Sequence, residues 1–223
     1  MTEAYAIVSP RARRVAGWTL VVAAVLSLVV MSHHPVAHGR DPATFMQAIL
    51  ATATPNALVH GSLIAMMLAT AWALLEFSVW RGFSRAPVRA ALPLYGTGVL
   101  AMIVAALVSG FVTTRIAARF VDGDAAAQLQ AQGLFAACWA VNQVAANFAV
   151  VLFSGAIALW SLDLVSDRGS ARALGVGGLV VAVACTAALT VVRLDVRGML
   201  LVAVALAVWQ VAVGVWMLRG KAA

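Results

Sequence analysis

Six apolar runs, each close to the length that crosses a bilayer, are joined by short connectors that carry most of the chain's arginines. Nothing else in the sequence limits the fold so tightly. A helix spans the hydrocarbon layer with about 20 apolar residues. The runs cover residues 15–32, 57–80, 92–114, 134–162, 173–192 and 198–218, rich in Ala, Val and Leu with no charged residue near a midpoint. Backbone polar groups in lipid must be satisfied within the segment, so runs of this kind are helices. The expectation is an all-α polytopic membrane protein: a six-transmembrane-helix bundle forming a single transmembrane domain over residues 1–223.

Composition rules out the main alternatives. Apolar residues make up 64% of the chain and charged residues 10%, against roughly 45–50% and 25% in a soluble domain. The net charge of +7 raises the question of nucleic acid. The basic residues, however, are scattered at the ends of apolar runs and form no continuous basic face, so no nucleic-acid partner is expected. Arg11, Arg13 and Arg14 ahead of the first run resemble the start of a signal peptide. That run is followed by His33-His34-Pro35 rather than a small-x-small cleavage site, so it is read as a retained helix.

Charge also predicts orientation. With the N-terminus inside, the cytoplasmic connectors and ends collect Arg11, Arg13, Arg14, Arg81, Arg85, Arg89, Arg168, Arg172, Arg219 and Lys221. The opposite side holds Arg40, Arg115, Arg119, Arg193 and Arg197. Ten against five favours both termini inside, N-in and C-in. Trp18, Trp80, Tyr95, Trp160 and Trp216 all fall at the same predicted inner ends and read as an aromatic belt.

Two outer connectors are long enough for structure of their own. Asp41-Pro42 offers an N-cap with proline at the first helical position. Phe45, Met46, Ile49 and Leu50 then share one side of a short helix over 41–54, expected to lie in the interface with its apolar face down. Gly123-Asp124 reads as a second cap, from which a helix would run through 125–133 into the fourth span and carry it beyond the membrane. Pro87 and Pro93 are expected to break the inner loop before the third span.

Chemistry concentrates in one place. All four histidines, His33, His34, His38 and His60, flank the first outer connector. Neutral imidazole is a common ligand of Zn, Cu, Ni and Fe, and it titrates near physiological pH. A site needs two or three rings to converge, and His34, His38 and His60 are the best placed, with Met31 and Asp41 near them in sequence. The spacing matches no fixed metal motif, and interfacial histidines that merely bond water, headgroups or helix ends are the simpler alternative. The inner half has no histidine, so two stacked b-type haems are excluded, leaving a transition metal or a single outer-face haem as the cofactor expectation.

A polar stripe marks the fourth span. Gln132, Gln143, Asn147, Ser154 and Ser161 project within about 40° of one another at helical periodicity, flanked by Trp139 and Asn142. Such residues line a pocket or pathway, with Gln210 of the sixth span opposite, or glue helices together. Glu76, one turn before Arg81, and Asp163 are read as interfacial acids, solvated or salt-bridged. A carboxylate proton relay at mid-bilayer is therefore not expected. Ala105, Ser109 and Gly110, and Gly175, Gly177 and Gly178, mark close helix packing. Cys138 and Cys185 stand alone as packing residues. The short turn before the last span could bring Asp195 towards the histidines, though the sequence does not fix its place. GxxxxGK[ST], HExxH and GxSxG are absent, so the expectation leans away from an enzyme.

Ala140-Val141-Asn142-Gln143 and Leu194-Asp195-Val196-Arg197-Gly198-Met199-Leu200 resemble segments of bacterial six-helix integral membrane proteins classed as domains of unknown function. The resemblance implies an inner-membrane protein and no activity. It singles out Asn142, Gln143, Asp195 and Arg197 beside the histidines. Three readings stay open: a membrane protein binding a metal or small ligand at the outer histidines, a permease or channel using the Gln143–Asn147–Ser154 stripe, and a structural or assembly subunit. The partners expected are the lipid bilayer and a second copy or membrane-complex partner.

Overall fold

The computed structural model describes residues 9–191 and 196–220 and contains no strand among them. Helix α1 covers Pro10–Ser32, α2 Pro42–Ala51, α3 Ala53–Arg81, and α4 Ala86–Leu107. A π-turn at Val108–Val112 joins α4 to α5, Thr113–Phe120. Then come α6, Ala125–Val165, α7, Ser170–Val191, and α8, Val196–Arg219. Six helical stretches are long and apolar enough to cross a membrane, with α4, the π-turn and α5 counting as one.

The spans close a ring. In chain order α1 packs on α3, α3 on α4, α4 on α6, α6 on α7 and α7 on α8, and α8 returns to α1. The closing contact depends on two small residues. A Cβ on Gly17 of α1 would lie 2.9 Å from the Gly214 carbonyl oxygen of α8, and one on Gly214 would lie 2.6 Å from the Gly17 carbonyl oxygen. The backbones approach closely because neither position carries a side chain.

One end of the ring is filled by aromatic rings. Phe77 contacts Trp80, Trp160 and Trp216 edge to face, and Trp160 stacks on Trp209 at 6.0 Å. Tyr95 and Phe153 continue the cluster at 4.9 Å. Of the residues read as an aromatic belt, Tyr95, Trp160 and Trp216 are buried, Trp80 is half-buried against Trp216, and Trp18 alone is exposed. Tryptophans at helix ends here fill the interior instead of facing headgroups. Rings from four helices, α3, α4, α6 and α8, meet there and bury one another.

Arg81 closes this end. Its Nε donates to Asp163 at 2.7 Å, its Nη2 lies 2.7 Å from Asp167, and Arg85 reaches the other oxygen of Asp163 at 2.9 Å. Asp163 is therefore buried in an ion pair, while Glu76, one turn from Arg81 in α3, makes no ion pair among the described residues. Pro87 and Pro93 do not break the connector. Pro87 stands in the first turn of α4, where its missing N–H costs nothing, and Pro93 lies inside the same helix.

At the other end, α5 and the first turns of α6 project beyond the ring. Helix α6 has 41 residues, about 60 Å of axis, twice the hydrocarbon thickness. Asp124 caps it, accepting the Ala127 N–H at 2.9 Å. Asp41 caps α2 in a reciprocal box with Thr44. The apolar side of α2 does not lie flat on an interface. Met46 and Ile49 are buried against Ala117 of α5 and Ala131 of α6, and Phe45 meets Phe135 edge to face at 5.6 Å. The overhang of the third and fourth spans supplies a protein surface for that face.

Candidate functional site

Between the aromatic core and the α2 cap, the ring surrounds a partly open cavity of about 510 Å³. Its lining is apolar over most of its area, and no Asp, Glu, Lys or Arg contributes to it among the described residues. Tyr95 and Phe153, part of the aromatic cluster, also line it, so the cavity stops where that cluster begins. A shallower hollow of about 720 Å³ lies on the flank of α1 and α3 beside Arg11 and Arg14 and gathers no comparable chemistry.

His34 and His60 meet at the cavity wall. His60 sits two turns into α3 and is buried, while His34 follows α1 and is half-buried. Their Nε2 atoms are 3.4 Å apart, with ring planes inclined at 76°. Nδ1 of His34 is 2.8 Å from the Pro35 carbonyl oxygen, and Nδ1 of His60 is 2.9 Å from the Asn56 carbonyl oxygen. A carbonyl oxygen only accepts, so each Nδ1 carries the hydrogen. In the neutral rings both Nε2 atoms then carry a lone pair, and with ring centroids 4.9 Å apart the two rings meet edge to face. Burial holds His34 below its ordinary pKa of 6.5, which favours that neutral form.

The local backbone is built around this contact. A Cβ on Gly110 would lie 2.6 Å from Cβ and Cγ of His60, so the ring fits only against a glycine. Gly110 is the centre of the π-turn, in which the Thr113 N–H reaches back five residues to the Val108 carbonyl. The displaced hydrogen bonding leaves the Ser109 carbonyl to side chains: Asn56 Nδ2 donates to it at 3.0 Å and Thr113 Oγ1 at 2.8 Å. Asn142 Nδ2 donates to Ser109 Oγ at 2.7 Å and to the Ala105 carbonyl at 2.9 Å. Asn56 thus binds the turn with its side chain and His60 with its backbone. The turn, the asparagine and the imidazole are one unit.

The remaining sequence candidates fall into groups. His33 bonds back to Val29 and Ser32 and is exposed, and His38 is exposed. Neither joins the pair. Asn142, Gln143 and Gln210 line the cavity, and so do Trp139 and Cys138. Gln132 and Asn147 are exposed. Ser154 and Ser161 are buried on the aromatic side, and their hydroxyls have no partner among the described residues. The stripe of the fourth span is therefore divided among three environments. Asp195 and the Arg197 side chain lie outside the described residues.

Sequence reasoning missed the role of Gly110, read as packing, and of Asn56, which carried no signal of its own. It placed Met31 beside the histidines but did not single out the other three methionines that line the cavity, Met67, Met102 and Met199. Among the described residues no three His, Cys, Asp or Glu side chains converge. Among the described residues the imidazole pair is the histidine donor set at the cavity.

No family model, curated protein or solved structure matches this chain.

Proposed function

We propose that this is a multi-pass protein of a bacterial inner membrane, with both termini inside, that binds a transition-metal ion at His34 and His60 on the outer side. The orientation rests on the ten-to-five excess of basic residues at the other end. Buried aromatic residues give it no second support.

One observation carries the binding reading: two Nε2 atoms with free lone pairs lie 3.4 Å apart, each ring held in that tautomer by a backbone carbonyl. Two lone pairs this close repel unless they share something electron-poor. Ligating histidines are held in the same way, with the second nitrogen donating to a carbonyl and fixing the ring. A metal about 2.0 Å from each Nε2 would subtend about 116° at the observed 3.4 Å separation, between the tetrahedral and trigonal angles. What supports binding over passage is the division of the polar stripe, with Asn147 outside the ring and the cavity ending at Tyr95 and Phe153.

The test is metal analysis of untagged protein in mild detergent after equilibration with Zn(II), Ni(II) and Cu(I) in turn and removal of free metal. One equivalent retained by the native chain and none by the His34→Gln and His60→Gln variants is the expected result. Native protein that retains no metal under any condition would remove the reading.

A further inference from the structure

We infer that the ion held at His34 and His60 is a soft monovalent cation, Cu(I), completed by a methionine thioether of the cavity wall. This rests on the metal-binding reading above and narrows it. Three independent features of the cavity point the same way.

The first is charge. No acidic side chain lines the cavity among the described residues, so none of these compensates an added cation. The cost of moving an ion into a low-dielectric interior rises with the square of its charge, so a dication is penalised about four times as heavily as a monocation. Neutral imidazoles and thioethers leave that charge untouched.

The second is donor number. Zinc sites in proteins are four-coordinate, and two imidazoles with no third His, Cys, Asp or Glu converging on them among the described residues fall short of that. Cu(I) is satisfied by fewer donors. The angle near 116° that a metal about 2.0 Å from each nitrogen would make leaves one in-plane vertex open at the observed spacing.

The third is donor type. Methionines from four helices line the same cavity: Met31 of α1, Met67 of α3, Met102 of α4 and Met199 of α8. Thioether sulfur selects Cu(I) over harder ions. Met31 stands closest to the pair along the chain, since the His34 N–H bonds to the Met31 carbonyl at 3.2 Å.

The experiment titrates purified full-length protein with Cu(I) under reductant, against a coloured Cu(I) chelator, and separately with Zn(II) against a zinc indicator. Ag(I) serves as the redox-inert probe. The expected result is one Cu(I) or Ag(I) per chain, held at least a hundredfold more tightly than Zn(II). Changing all four cavity methionines to Leu, which preserves volume, should weaken Cu(I) at least tenfold and leave Zn(II) within threefold. The Met31→Leu single variant should account for most of that loss. Sulfur K-edge or copper absorption-edge spectra of the loaded protein should show a Cu–S contribution that the Leu variants lack. Zn(II) bound as tightly as Cu(I), or Cu(I) affinity unchanged in the fourfold Leu variant, would overturn this inference and leave the metal reading standing. Neither ion binding would overturn both. Melting curves of each variant, matched to the native protein, establish that a loss is of binding and not of folding.

Discussion

Gly110 presents its bare backbone to the side of the His60 ring, at a distance where any Cβ would stand 2.6 Å from the ring's own Cβ and Cγ. The contact is possible because the π-turn at Val108–Val112 brings that stretch of the span against α3. A Gly110→Ala change must move either the ring or the turn. Overpacking of this kind costs about 1–3 kcal/mol, and it tilts Nε2 away from His34. We expect a lower melting temperature together with at least a tenfold weaker metal affinity. Gly133→Ala, where a Cβ meets nothing within 4 Å, is the matched control and should change neither.

Acid should loosen the same place. Burial lowers the pKa of His34 below 6.5, and His60 is the titratable group facing it. A histidine whose folded pKa is depressed binds its proton more readily in the unfolded chain. Its contribution to stability is therefore complete above pH 6.5 and declines as pH falls from there toward the folded pKa. Metal-free protein should show a melting temperature that is flat above that pH and falls below it. His34→Gln should flatten the acid limb. A limb of unchanged slope in that variant would assign it to other groups.

Asn142 tests how far the polar residues of α6 are structural. Its amide donates to both Ser109 Oγ and the Ala105 carbonyl, tying α6 to the start of the π-turn. Interhelical bonds of this sort are worth about 0.6 kcal/mol each in a membrane protein. Asn142→Ala should therefore lower stability by about 1 kcal/mol in denaturation measured in mixed micelles. Because the amide bonds the turn and not the imidazoles, metal stoichiometry should stay at the native value.

The six long apolar helices and both helix caps were legible in the sequence because they depend on local features: run length, Asp41 before Pro42, Asp124 after Gly123. His34 and His60 were legible as candidates by residue type alone. Their meeting was not, since it depends on the π-turn, and a π-turn within Val108-Ser109-Gly110-Phe111-Val112 has no pattern that distinguishes it from α-helix. The same limit applies to the tryptophans. Position at a span's end is common to belt residues and core residues, and only the closed ring of helices decides between them. His33 and His34 are adjacent in sequence, yet His33 is the C-cap of α1 and His34 lies past the helix. One ring folds back on α1 and the other turns to the cavity.

Asp163 shows how that limit works for charge. By sequence distance Glu76 is the natural partner of Arg81, five residues away, but the structure gives Arg81 to Asp163 of a different span. Arg81 and Asp163 have side chains only 7% and 6% exposed, and Arg81 also stands 5.7 Å above the Trp216 ring. Removing one partner of such a pair leaves the other charge buried and uncompensated, which costs about 3–5 kcal/mol. Asp163→Asn leaves two guanidinium groups, Arg81 and Arg85, around a neutral amide, with Asp167 the acid that remains on Arg81. We expect a loss near the lower end of that range, measured as the shift in denaturation midpoint, because Asp167 retains part of the pairing. The Asp163→Asn and Asp167→Asn double variant should then exceed the sum of the single changes. Glu76→Gln, at a half-buried position with no ion pair among the described residues, should fall within about 0.5 kcal/mol of the native protein. Equal losses for Glu76→Gln and Asp163→Asn would mean that the network is not what holds α3 to α6.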